Sequence, residues 1–125
     1  MQPSNIVSFI ANAAIGAYLI VASTTSDKVK AATAATDPLL GTTDELGAEG
    51  DTKPVGVALG GVAKVLLGGT VANGNALTTD GNSKAIACAP ATTVRKRIIG
   101  YALQEGVAGD IIDYRVAPGE VVLGA

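Results

Sequence analysis

From position 17 onward, short apolar runs alternate with Gly, Asn, Asp and Pro at spacings of roughly ten residues, the habit of an all-β barrel or sandwich. The runs predict strands at 17–23, 28–34, 54–59, 63–68, 75–79, 84–89, 95–103 and 110–116. Turn chemistry supports the cuts. Asn73-Gly74 and Asp80-Gly81 tolerate positive φ, and Pro118-Gly119 fits a type II turn. No long amphipathic helix is evident. The expected fold is a small antiparallel β-barrel or β-sandwich in a single β domain over 15–125, preceded by an N-terminal arm over 1–14.

The arm carries Ile6, Val7, Phe9 and Ile10, apolar residues ahead of the first clear strand. Ile6, Phe9, Ile10 and Ala13 have helical spacing, whereas Gly16 and Ile20-Val21 favour a strand, so the conformation of the first half stays open. An exported protein anchored by residues 6–22 is a rival reading. Against it, no Lys or Arg precedes the run, and Ser8 and Asn12 interrupt a stretch at the short limit for spanning. The expectation is a contact arm that orders on binding, with no membrane partner.

Two segments repeat. Val55-Gly56-Val57-Ala58-Leu59 matches Ile99-Gly100-Tyr101-Ala102-Leu103 at 44 positions, and Val71-Ala72-Asn73-Gly74 matches Val116-Ala117-Pro118-Gly119 at 45. Two pseudo-repeated strand pairs suit closure of a small barrel, with Gly56 and Gly100 at equivalent close approaches of backbone.

Composition narrows the chemistry. Among 125 residues there is no His or Trp and one Cys, which removes a Ser-His-Asp or Cys-His relay and a Cys/His zinc site. Cys88, in Ala85-Ile86-Ala87-Cys88-Ala89, reads as a small buried hydrophobe. A formal charge of −2 disfavours nucleic acid as a partner. Gly69-Thr70-Val71-Ala72-Asn73-Gly74 has the frame of a phosphate loop, but Asn75-Ala76 stands where Lys and Ser/Thr are needed. Acidic and Gly residues cluster over 41–53, and Asp44, Glu45, Glu49 and Asp51 lack the oxygen spacing of a calcium loop, so a solvated loop is expected. Aromatics are 3% of the chain. A sugar-stacking cleft around Glu105 and Asp110, or Asp113 and Glu120, therefore has no support. No catalytic, cofactor-binding or metal site is expected, and no small-molecule substrate. A core of Ala, Val, Ile and Leu buries little area per residue, so oligomer contacts are expected to help.

The densest charge is Arg95-Lys96-Arg97, opening an apolar strand. Alternation places Arg95 and Arg97 on one face with Ile99 and Tyr101. It reads either as a charged edge that discourages aggregation or as a basic contact on an acidic surface. Asp27-Lys28-Val29 resembles the hairpin Lys of swinging-arm (lipoyl or biotinyl) domains, which makes a small cytoplasmic binding module the alternative function. The preceding chain lacks the turn-rich Gly-Asp pattern of those domains.

The order of features resembles the small phage capsid cement, or head decoration, proteins of the DUF2190 family. The shared features run from Met1-Gln2-Pro3-Ser4-Asn5 through Leu19-Ile20-Val21, Lys28-Val29-Lys30-Ala31-Ala32, Val55-Gly56-Val57-Ala58, Val65-Leu66-Leu67-Gly68-Gly69 and Val71-Ala72-Asn73-Gly74-Asn75-Ala76-Leu77-Thr78. They close with Asp80-Gly81, Ile99-Gly100-Tyr101-Ala102-Leu103 and Gly109-Asp110-Ile111-Ile112-Asp113-Tyr114. The resemblance implies a β-barrel-like fold, a homotrimer, no enzyme activity, and the major capsid protein as partner. Such a protein is made in the host cytoplasm and ends on the outer capsid surface of the virion. Capsid or protomer contacts are then expected at Ile6, Val7, Phe9, Ile10, Arg95 and Arg97. The long acidic segment 41–53 departs from the family's compact spacing.

Overall fold

The computed structural model describes residues 5–24, 28–50, 52–88 and 96–121. They form ten strands and, among the described residues, no helix. The strands are β1 (Asn5–Ala11), β2 (Ile20–Ser23), β3 (Lys28–Ala31), β4 (Leu39–Thr42), β5 (Pro54–Gly60), β6 (Val62–Leu66), β7 (Ala76–Thr79), β8 (Ala85–Ala87), β9 (Lys96–Ala102) and β10 (Ile111–Val121). Two five-stranded sheets result, in the orders β4-β2-β3-β1-β5 and β6-β10-β9-β7-β8. The all-β barrel or sandwich class is therefore the observed one.

The second sheet repeats the first strand for strand. β1 pairs antiparallel with β5 as β6 pairs with β10, β2 pairs with β3 as β7 with β8, and β2 pairs with β4 as β7 with β9. A Thr43↔Val57 bridge joins the β4 and β5 segments, where β9 and β10 form a full ladder. Each sheet curls toward closure by one parallel contact, β1 with β3 in the first and Leu67 with Ala85 in the second. Registers agree too: Phe9↔Val55 matches Val65↔Ile112, Ser8↔Gly56 matches Lys64↔Asp113, and Val21↔Gly41 matches Leu77↔Gly100. The loops follow the same plan. Ile15 bridges Ala48 and Val71 bridges Gly106, ahead of turns whose positive-φ residues are Tyr18 and Gly74. The chain is thus a tandem repeat of one five-stranded unit, displaced by 56 positions from Ile15 to Val71 and 59 from Gly41 to Gly100.

This sets the frame of the repeat. A displacement of 44 or 45 lays β5 on β9, strands with different partners, whereas the structure matches β5 to β10. Gly56 and Gly100 are accordingly not equivalent; the partner of Gly100 is Gly41. At both of those, an added Cβ would run into a backbone carbonyl oxygen, of Ala58 at Gly41 and of Arg115 at Gly100.

Burial follows from the stacking of the two units. The inside of the first holds Ala11, Ile15, Val21, Val29, Val55 and Val57. A larger core joins the inner side of the second, including Val65, Leu67, Leu77, Ile99, Ile112 and Tyr114, to the outer side of the first at Ile20, Ala22, Leu39 and Ala58. β2 is apolar on both faces for this reason: Val21 points into its own unit while Ile20 and Ala22 pack against the other, and all three are fully buried.

Four local expectations change. Residues 5–11 of the expected arm are extended, but they lie between β3 and β5 as an integral strand, because β1 supplies their only shared ladder in the first unit. β4 falls where none was expected, and part of the 41–53 segment is buried: Thr42, Thr43 and Ala48. Pro118-Gly119 lies within β10 rather than at a turn, where the register shifts between Val116 and Gly119; proline, lacking an N–H, suits such an irregularity. At Asp80-Gly81 the turn is held by the Asp80 carboxylate, which accepts the Asn82 and Lys84 N–H groups, and the positive φ falls on Ser83.

Candidate functional site

Two surface features stand out among the described residues. The first is a cavity of about 290 Å³ at the mouth of the cleft between the units. Ile6, Thr42 and Ala58 line it from the first unit, Val62 and Lys64 from β6, and Asp113 from β10. Asp44 and Glu45 stand at the same mouth. Lys64 Nζ donates to Asp113 Oδ1 at 2.8 Å across the β6–β10 ladder. That hydrogen bond and the carboxylate's charge push the Lys64 ammonium above its ordinary range. Asp44 is tied into its turn, where Oδ1 accepts the N–H groups of Leu46 at 3.0 Å and Gly47 at 3.1 Å.

The second feature is the outer face of the second unit. Arg115 and Tyr101 are direct cross-strand partners, and the guanidinium carbon lies 5.4 Å from the ring centroid. This is a cation–π arrangement on an exposed sheet face. Ala76 is the register partner of Tyr101 on the β7 side. Leu103, Val107 and Ile111, all exposed, lie around the β9–β10 connection.

The expected contact residues are distributed rather than gathered. Ile6 is 51% exposed and faces the cavity, and Val7 is 38% exposed. Phe9 packs partly against the inner cluster of the first unit. Ile10 is half-buried, in register with Lys28 and Pro54. Arg95 lies outside the described residues. Arg97 is half-buried, with its N–H donating to the Ala35 carbonyl at 2.7 Å and its carbonyl accepting from Thr78 Oγ1 at 2.7 Å. It does not share one row with Ile99 and Tyr101. Ile99 is buried in the common core while Tyr101 lies under Arg115 on the outer face, because Gly100, at φ 151°, interrupts the alternation between them.

Two of the carboxylates considered for catalysis, Asp110 and Asp113, have other partners. Asp110 Oδ2 accepts the Val107 N–H in a turn, and Asp113 holds Lys64. Among the described residues, no three potential metal ligands come together. Cys88 is half-buried rather than buried as expected, and the burial it has raises its thiol, which keeps it protonated. Lys28 is exposed at the start of β3, and no helix of the described residues is long and apolar enough to cross a membrane. Sequence reasoning missed the Tyr101–Arg115 pair and the Lys64–Asp113 pair, because partners 14 and 49 positions apart meet only through strand register.

The fold has a solved counterpart. The chain is similar to the crystal structure of the head fiber gp8.5 N base of bacteriophage phi29, with TM-score 0.68 and 20% identity over 92% of this chain and 95% of that one. No protein-family model matches the chain, and no curated protein does.

Proposed function

We propose that this chain is a structural, non-enzymatic protein of a phage head. In this reading it binds the outer capsid surface as a homotrimer and cements the expanded coat lattice. The observation that carries the reading is the fold: nearly the whole chain shares its architecture with the base of a phage head fiber. The order of motifs that resembles the cement proteins supports it independently.

The surface chemistry suits the task. A cement protein acts by many modest contacts, and a trimer that touches several coat subunits gains affinity through effective concentration rather than through any one strong site. Ile6 at the cavity mouth, Arg97 in β9 and Arg95, which lies outside the described residues, are the proposed contacts with the major capsid protein. Arg favours such a role because its guanidinium grips a carboxylate with two parallel hydrogen bonds. The test is the thermal stability of expanded heads with and without the purified chain. Addition should raise the temperature at which heads rupture; heads of unchanged stability at saturating protein would reject the cement role.

A further inference from the structure

The two units share one plan but not one environment. On the inner side of the second unit, Val65 and Ile99 are fully buried and Val116 is nearly so, packed in the common core with Ile20, Ala22, Leu39 and Ala58 of the first. Their equivalents in the first unit are Phe9, Leu40 and Leu59, all only partly buried, beside Val7 at 38% exposure. Among the described residues, no segment does for these side chains what the first unit does for the second.

The outer faces show the reverse asymmetry. Ile20, Thr42 and Ala58, on the outside of the first unit, are 0, 0 and 4% exposed because they cover the second. Of the matching positions on the second unit, Thr78 and Ile98, which correspond to Ala22 and Leu39, are 3% exposed, whereas Ala76, Tyr101 and Arg115 are half-buried or exposed and Leu103, which corresponds to Asp44, is 43% exposed. Among the described residues, the first unit therefore presents a partly uncovered inner face, and the second, around Tyr101 and Arg115, an outer face of the kind that covers one.

We propose that a second copy of this chain supplies the missing contact: the outer face around Tyr101 and Arg115 of one copy covers the inner apolar face around Phe9 and Leu40 of the next. The occupant is a copy of this chain because the complementary surface already exists in it, used once within the molecule. Two different patches meet, so the contact is heterologous and gives a ring if its rotation closes. Three copies place six similar units around one axis. The inference rests on the homotrimer reading and names its interface. Arg115, where the first unit has Ala58, and Tyr101, where it has Thr42, enlarge the covering face with an aromatic ring and a cation, residue types enriched at interfaces.

The test uses the full chain in three forms: native, Val7→Glu and Leu103→Glu, each with circular dichroism and analytical ultracentrifugation at micromolar concentration. Both substitutions fall on exposed side chains. The native chain should be trimeric, and each variant folded but associating at least tenfold more weakly. An equimolar mixture of the variants should form dimers, since Val7→Glu keeps an intact outer face and Leu103→Glu keeps an intact inner one. Trimers that persist in both variants would overturn this interface and leave the trimer standing. Monomeric variants whose mixture does not associate would overturn the face-to-inner-side pairing. A monomeric native chain would reject the trimer and this contact together. If Val7→Glu fails to fold, Leu103→Glu combined with Arg115→Glu decides, and a retained trimer would reject the proposal.

Discussion

The hydroxyl of Tyr114 in β10 lies 2.9 Å from that of Thr42 in β4, and this hydrogen bond, fully buried, ties the second unit to the first. Tyr114 stands where the first unit has Val57, so the larger side chain reaches out of its own unit to the neighbour's outer face. Burial holds its phenol far above the ordinary tyrosine range, so it remains a neutral donor or acceptor. Removing one hydroxyl leaves the other buried and unpaired.

Tyr114→Phe should therefore destabilise the chain by about 1–3 kcal/mol in urea unfolding. Combining it with Thr42→Val should cost less than the sum of the two single changes, since neither partner is then stranded. Additive costs would show that the pair is not coupled.

Glycine substitutions separate the two possible repeat frames. An added Cβ at Gly56 meets Asp44 Oδ2 at 2.7 Å and an Ile6 methyl at 3.0 Å, both side-chain ends that can shift. At Gly100 it meets the Arg115 carbonyl oxygen in a backbone conformation at φ 151°, and at Gly41 the Ala58 carbonyl oxygen. Gly41→Ala and Gly100→Ala should each cost about 3 kcal/mol or more, and Gly56→Ala about 1 kcal/mol. Similar values for Gly56 and Gly100 would restore the shorter repeat.

Truncation tests the place of β1. Without residues 1–11, β3 and β5 lose the strand between them and the first inner cluster loses Ala11 and its contact with Phe9. The far-ultraviolet dichroism of the truncated chain should lose its cooperative thermal transition. A midpoint within a few degrees of native would make the segment a detachable arm after all.

The strands β2, β3 and β5 to β9 were legible within a few residues, because each is a short apolar run closed by turn chemistry such as Asn73-Gly74, whereas β10 was legible only at its start, since it runs through Pro118-Gly119 to Val121. β1 was ambiguous since Ile6, Phe9 and Ile10 have helical spacing while the strand signals come only later, at Gly16 and Ile20-Val21, and its ladder with β5, far along the chain, decides. β4 was hidden: Leu39–Thr42 is four residues long, and the buried Thr42 and Thr43 look solvated until the partners of their hydroxyls are seen. The tandem repeat was illegible for a similar reason. Strand register survives when Ile15-Gly16-Ala17-Tyr18 faces Val71-Ala72-Asn73-Gly74, although the residues scarcely agree. Of the residues expected as contacts, Ile6 and Val7 are exposed, whereas the Tyr101–Arg115 face required the β9–β10 register.

Acid sensitivity has a local source at Asp37. Its Oδ2 accepts the N–H groups of Thr33 at 3.0 Å and Ala34 at 3.2 Å and lies 3.9 Å from Lys30 Nζ. These backbone hydrogen bonds, aided by Lys30, hold the carboxyl below its ordinary 3.8. A lowered value means the contribution is complete above the unfolded value and is lost as pH falls through 3.8 and below. Asp37→Asn should cost about 1 kcal/mol at neutral pH and flatten this loss between pH 5 and the acid limit. An unchanged slope in pH-dependent unfolding would exclude the turn as its source.

The central claim is attachment to a capsid, and co-sedimentation measures it directly. The purified chain should be mixed with expanded heads assembled from the coat protein encoded in the same genome, and the bound protein counted at saturation. Binding at micromolar concentration that saturates at a multiple of three copies per site is the expected result. Heads that sediment without the chain would contradict the account.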